Sequence, residues 1–274
     1  MKYRTFIAPH SDCRCFAEVE QMTRECLRER GLECEPTAGL YSGFANIVFG
    51  ANLLPPIRDC IIFQLEQLHE GSPWWREEYE MTLRNAAEVW DYSLDNIAFL
   101  KRKGIYAAHV PIGAHPSLRR IPLAADPEKS ILFYGSLNRR RKDVIDGCRK
   151  FAPVETLFGV FGEERDRRIG ESLINLNVHY YDAMIFEAVR VSYLLNNGCL
   201  VVSEASPSYP YAGVDLPMAD AKSVPDLCAR FIEDRSDAYR TRRLNAEQFR
   251  DLYPMSKFIG AVLDGSPVTS SHAA

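Results

Sequence analysis

Residues 174–204 read INLNVHYYDAMIFEAVRVSYLLNNGCLVVSE, a pattern of strand, helix and strand. INLNVH (174–179) is an apolar run of strand length. Residues 183–197 then carry apolar side chains at helical spacing, with Met184, Ala188, Val191, Leu194 and Leu195 on one stripe. Asp182 is placed to cap that helix and Gly198 to end it. CLVVSE (199–204) is the clearest strand of the second half. A strand, a helix and a second strand in this order make a crossover unit, and such units build parallel sheets with helices on both faces.

The same alternation extends in both directions. SILFYG (130–135) is a strand followed by the helix RRKDVIDGCRKF. VETLFGVFG is a strand followed by the polar helix EERDRRIGESL, and VPDLCARFIEDRSD and RTRRLNAEQFRDLY close the chain as helices. In the first half, YRTFIAP is a strand and residues 16–30 are a helix stopped by Gly31. NIVFGANLL (46–54) and CIIFQL (60–65) are further strands, and a helix runs from Trp75 to Ala87. AEVWDYS is a strand that breaks at Asp91, residues 94–103 are helical, and AAHVPIG is extended. Trp75 and Tyr79 stand four apart, a spacing typical of core packing. From about residue 117 to 129 the composition shifts to Pro, Arg and Asp, as in a linker. The expected fold class is therefore α/β, two Rossmann-like domains facing a cleft. Residues 1–118 form the first domain, 119–264 the second, and the small polar stretch 265–274 a disordered tail.

Composition narrows the function. The 274 residues are 46% hydrophobic and 26% charged, enough for real cores, and the net charge is −4. So weak a negative charge creates no global field for nucleic acid, which is not expected as a partner, and the alternative of binding it through Arg139–Lys142 and Arg240–Arg243 is disfavoured. No run reaches the roughly 18 apolar residues that cross a bilayer, although peripheral membrane contact stays open. MKYRTFIAPHSD meets polar residues too early for a secretory signal, so the cytoplasm is the expected compartment. The eight cysteines are scattered and read as reduced thiols. His10, Cys13 and Cys15 match no zinc spacing, and no metal is expected. No G-x-G-x-x-G follows a strand, which disfavours a nicotinamide-dependent dehydrogenase.

In an open parallel sheet, ligands bind beyond the carboxyl ends of the strands. Four cations, Arg139 to Lys142, begin the helix after the Gly135–Ser136 turn. Cations are unfavourable at a helix N-terminus unless an anion is near, and arginine adds forked hydrogen bonds to phosphate. A diphosphate site and a solvated basic turn both fit this stretch. His179 ends the strand 174–179 and Tyr180 follows it, and they border a ligand or serve the structure. Glu187 and Arg190, three apart on one helix, suit a ribose and a phosphate, or a simple intrahelical ion pair. Glu204 ends the next strand.

Taken together, GS-x-N-x-RR, LN-x-HYYD, E-x-x-R and NGCLVVSE resemble the C-terminal half of bacterial GT-B glycosyltransferases related to the group 1 type. IIFQLEQL, W-x-x-x-Y, VWDYSLDN and HVPIG resemble the acceptor-side half of the same proteins. The resemblance implies a GT-B fold, a nucleotide-sugar donor, a hydroxyl acceptor such as a glycan or a lipid-linked sugar, no essential metal or cofactor, and a last helix that crosses back onto the first domain. It assigns Gly135, Ser136, Asn138, Arg140 and Arg141 to the phosphate side. His179, Tyr180, Glu187, Arg190 and Glu204 fall to the rest of the donor site. Retaining members carry two glutamates eight positions apart, whereas no glutamate lies eight positions from Glu187 in either direction. A leaving diphosphate gains charge in the transition state, and Arg140, Arg141 and Arg190 are placed to stabilise it. If the reaction inverts, a base must take the acceptor's proton. Three groups at strand ends of the first half are candidates, in the order Glu66, Asp91, His10. A non-catalytic nucleotide-sugar-binding module and another GT-B enzyme, such as a sugar-nucleotide epimerase, are the alternatives.

Overall fold

Apolar strands with helices between them fold into two parallel sheets, seen in a computed structural model that describes residues 2–266. The chain divides into two units, one holding residues up to Ile112 together with those from Met255, the other holding Gly113–Pro254.

The first unit contains β1 (Lys2–Ile7), β2 (Glu33–Thr37), β3 (Ala45–Phe49), β4 (Ile61–Gln64), β5 (Glu88–Asp91) and β6 (Ala108–His109), ordered β2-β1-β3-β4-β5-β6. Phe49, Phe63 and Trp90 stand opposite one another on β3, β4 and β5. Their ring centroids are 5.7 and 5.9 Å apart, a cross-strand aromatic ladder at the centre of the sheet. The helices are α1 (Ala17–Glu29), α2 (Glu77–Arg84) and α3 (Leu94–Arg102).

The second unit contains β7 (Glu128–Tyr134), β8 (Val154–Leu157), β9 (Ser172–Asn177), β10 (Val201–Glu204) and β11 (Met218–Ala219), ordered β11-β10-β9-β7-β8. Its helices are α4 (Arg139–Cys148), α5 (Glu163–Glu171), α6 (Ala188–Asn196), α7 (Val224–Glu233) and α8 (Arg235–Leu252). Ile131, Phe133, Ile174, Leu176 and Val202 meet Val144, Cys228 and Phe231 in its core.

Each sheet reverses its winding once. In the first, β1 is followed by β2 on one side and β3 on the other; in the second, β8 and β9 flank β7 in the same way. The carboxyl ends of β1 and β3, and of β7 and β9, are therefore the crevices where a doubly wound sheet accepts ligands.

Several elements differ from their sequence reading. The helix expected at 183 starts at Ala188, with Glu187 rather than Asp182 at its N-cap position. Residues before it run irregularly, and Met184 takes φ 51°, a left-handed conformation that a helix cannot contain. Extension of 46–54 stops at Phe49, because Gly50 turns at φ 75° into a short three-ten helix. VETLFGVFG stays extended only to Leu157, since Gly159 and Gly162 adopt φ 70° and 66°. The helix expected from Trp75 is α2, starting at Glu77; Trp75 lies just before it and packs on Phe99, 5.0 Å between ring centroids. The final helix, α9 (Met255–Leu263), which the domain bounds put within 119–264 and the resemblance put on the first domain, belongs to the first unit and packs on α1, where Arg30 pairs with Asp264 at 2.6 Å. The tail expected to be disordered lies, from residue 267 on, outside the described residues.

Candidate functional site

Polar residues at the carboxyl ends of β7, β9 and β10 converge on one cluster in the second unit. Gly135, directly after β7, adopts φ 131°, and a Cβ there would sit 2.7 Å from Nη2 of Arg190. Only glycine lets that guanidinium approach the turn. Asn138 caps α4: its Oδ1 accepts the Arg141 N–H at 2.9 Å, and its Nδ2 donates to the Tyr180 carbonyl at 2.7 Å. The loops after β7 and β9 are thereby tied together. Ser136 is exposed, and its carbonyl accepts from Arg141 Nη1 at 2.8 Å.

Arg141 is almost wholly buried. Its Nε donates to the Val178 carbonyl at 2.8 Å and its Nη2 to Glu187 at 2.6 Å. Its guanidinium lies 5.2 Å from the Phe133 ring centroid and 5.1 Å from that of Tyr180. Burial pulls its pKa down to about 10, still charged at neutral pH. Arg190 donates to Asn177 Oδ1 at 2.9 Å and to the other oxygen of Glu187. Its Nε and Nη2 bond no described residue, and Nη2 is the group that approaches Gly135. Burial disfavours the charge of Glu187, but Arg190, Arg141, His179 and the Tyr180 N–H outweigh it and hold the carboxyl below its usual range.

Arg140 is gripped by Glu204, with Nε 2.9 Å from Oε1, and reaches Asp182 at 3.4 Å and Met184 Sδ at 3.3 Å. The hydrogen bonds that Arg140 donates to Glu204 raise the Arg140 pKa against the effect of burial. Glu204 also accepts the His179 N–H at 3.0 Å. His179 is fully buried; its Nε2 lies 3.2 Å from the Ala205 carbonyl, and its Nδ1 has no partner among the described residues. Three guanidinium groups thus meet two buried carboxylates and the exposed Asp182, beside the free amides of a helix N-terminus. All ten donor-side residues named from the sequence occupy this region, although their duties differ. Every guanidinium nitrogen of Arg140 and Arg141 bonds a protein group, whereas Nε and Nη2 of Arg190 bond none among the described residues. Asn177, which holds Arg190 and donates to Ser203 Oγ at 2.9 Å, was not singled out. Its signal was a polar side chain inside an apolar strand.

The three residues named as bases belong to the first unit and differ sharply. His10 is exposed, and its Nδ1 accepts the Asp12 N–H at 3.2 Å, which anchors a turn. Asp91 is fully buried at the end of β5 and accepts from Gln64 Nε2 at 2.9 Å, the Ser93 N–H at 2.8 Å and Asn96 Nδ2 at 3.0 Å. Burial pushes its carboxyl up to about 8 against those bonds. It ties β4 to α3, and Ser93 rather than Asp91 caps α3. Glu66, two residues beyond β4, is partly buried, and its carboxylate bonds no described residue. Burial, with Asp12 adding repulsion, raises its carboxyl to about 7. Of the three, Glu66 alone joins a poised pKa to an unoccupied carboxylate.

No family model matches the chain, and no curated protein matches it in sequence. Solved structures match its fold. The T4 phage alpha-glucosyltransferase, in complex with UDP and a 13-mer DNA containing a central A:G mismatch, is 12% identical with a TM-score of 0.67, over 96% of this chain and 99% of that one. HepE of Anabaena in complex with UDP-glucose is 11% identical with a TM-score of 0.61, over 97% of this chain and 100% of that one. TarM of S. aureus is 8% identical with a TM-score of 0.53, over 75% of this chain and 50% of that one. One neighbour thus holds nucleic acid, a partner class that the net charge disfavours here. Among the described residues, no helix is long and apolar enough to cross a membrane. These neighbours are glycosyltransferases of the GT-B type, and the fold of this chain is the GT-B fold.

Proposed function

We infer that the chain transfers a sugar from a nucleotide-sugar donor to a hydroxyl acceptor. The observation that carries this reading is Arg190 with unspent donors against Gly135, at the winding reversal between β7 and β9. A diphosphate resting there meets the α4 N-terminus and the Arg190 guanidinium, beside those of Arg140 and Arg141. As the bond to the anomeric carbon breaks, the leaving diphosphate gains charge that these fixed groups stabilise, without a metal or other cofactor. Glu187 and Glu204 hold the arginines in place.

The nucleoside has a platform. Leu157, paired with Tyr134 in register, accepts the Gly135 N–H at 2.9 Å, so Phe158 follows beside the phosphate turn and is 75% exposed. A base stacks on such a ring at a gain of about 1–3 kcal/mol. In the first unit, Glu66 takes the proton of the acceptor hydroxyl, its raised pKa matching the task at neutral pH. UDP-sugars are the first donors to try, because the neighbours were solved with UDP or UDP-glucose. Acceptors to try include glycans, lipid-linked sugars and hydroxylated DNA bases.

The test is release of UDP from UDP-glucose, with and without those acceptors, in wild type and in Arg190→Ala. Wild type is expected to release UDP, and the variant to lose about 100-fold or more in kcat, the usual cost of removing a transition-state charge contact. Absence of both UDP release and UDP binding in wild type overturns the reading.

A further inference from the structure

The peptide of Glu66 is held from two sides. Gln64, the last residue of β4, folds back on it: its Oε1 accepts the Glu66 N–H at 2.7 Å, and its Nε2 donates to the Glu66 carbonyl at 2.8 Å. Asn96, on α3, brackets the next step of the chain: its Nδ2 donates to the same carbonyl at 2.8 Å, and its Oδ1 accepts the Leu68 N–H at 2.8 Å. Asp91 takes a hydrogen from each amide, from Gln64 at 2.9 Å and from Asn96 at 3.0 Å. Gln64, Asn96 and Asp91 are all at most 1% exposed.

A chain leaving a parallel strand has no neighbouring strand to satisfy its peptide groups, so buried side chains must do it. Here the satisfaction is one-sided. The backbone through residues 66–68 is bonded by two amides that a buried carboxylate locks in turn, while the Glu66 carboxylate itself bonds no described residue. A loop that served packing alone would pair or expose its carboxylate. Fixing the backbone and sparing the side chain is what a preorganised reactive group requires.

The geometry points to Gln64, Asn96 and Asp91 as positioning residues that fix the direction of the Glu66 carboxylate toward an incoming hydroxyl. This rests on Glu66 as the base. The titratable groups that interact with that carboxylate are Asp12, Cys13 and Cys15 on the segment after β1 and Tyr79 on α2. None is a cation, so no ion pair among them sets the carboxylate, and the held backbone of Glu66 is what directs it.

The experiment compares Gln64→Met and Asn96→Ala with a control, Thr82→Val, which removes a buried hydroxyl of the same unit that accepts from the Ile57 N–H at 3.3 Å. Four quantities are read: melting temperature, UDP affinity by calorimetry, kcat and KM for the acceptor, and the titration of the Glu66 carboxyl by carbon NMR of labelled glutamate, assigned by its loss in Glu66→Gln. Both variants are expected to bind UDP within twofold of wild type, to lose about 100-fold in kcat as a misplaced group does, and to shift the Glu66 midpoint down from about 7. The control keeps its kcat within threefold. The inference is overturned if both variants lose no more kcat than Thr82→Val, or if the Glu66 midpoint stays in place. If Gln64→Met fails to fold, Gln64→Asn displaces the same peptide by one carbon and carries the same expectation. Full kcat in Glu66→Gln ends the base reading alone, and the titration then still decides whether the clamp sets the carboxylate.

Discussion

Gly135 and Arg190 depend on each other at the scale of single residues. An alanine at 135 would put its Cβ 2.7 Å from Arg190 Nη2, at φ 131°, a backbone angle that strains any L side chain. Gly135→Ala is expected to cost about 1–3 kcal/mol of stability and to weaken UDP binding at least tenfold, read by melting curves and calorimetry. Phe158→Ala should leave the melting temperature nearly unchanged and raise KM for the donor roughly 5- to 100-fold, the value of one stacked base. Glu66 and Asp91 make stability depend on pH. Both carboxyls are raised by burial, to about 7 and about 8, so the folded state binds their protons more tightly than the unfolded state. That contribution is complete below the unfolded carboxylate range near pH 4 and is lost as pH rises through 7 and 8. The melting temperature should fall from about pH 5 to about pH 9, and the fall should be smaller in Glu66→Gln. An equal fall in both proteins would show that Glu66 is not buried as described.

Elements explain which parts of the site could be read beforehand. The turn from β7 into α4 was legible because strand, glycine, capping residue and cations follow one another within ten residues, and local geometry sets them all. Asn138 is the clearest case: Asn138→Ala should cost about 1 kcal/mol as a lost cap and also free the Tyr180 carbonyl, which melting curves would show. The start of α6 was not legible. Periodicity extends the helix back to 183, yet Ser206 Oγ donates to the Met184 carbonyl at 2.7 Å and Arg140 reaches Met184 Sδ, contacts from distant parts of the chain that draw 182–187 out of helix. The same limit applies to the pairings of Arg140 with Glu204 and of Arg141 with Glu187, which lie 64 and 46 positions apart. Sequence named the residues of both pairs, but only folding shows that those cations are already engaged by carboxylates and that Arg190 has two nitrogens bonded to no described residue.

For the whole molecule, alternation of strand and helix sufficed to read two parallel sheets, because the central strands β3, β4, β9 and β10 are buried, mainly apolar runs that must be covered on both faces. The order of the strands, and hence where each winding reverses, lies in pairings that no local pattern records. Pairing of β7, β9 and β10 gathers residues from 135 to 204 into one polar cluster, and pairing of β4 with β5 gathers residues from 64 to 96 around Glu66. A ligand that binds only the folded state stabilises it by mass action, about 2.7 kcal/mol at a hundred times its dissociation constant. The decisive measurement is a calorimetric titration of the protein with UDP, repeated on Arg190→Ala. Saturable one-to-one binding in wild type, weakened at least tenfold in the variant, is the expected result; no binding to wild type, or equal binding to both, would contradict a diphosphate held at the Gly135 turn.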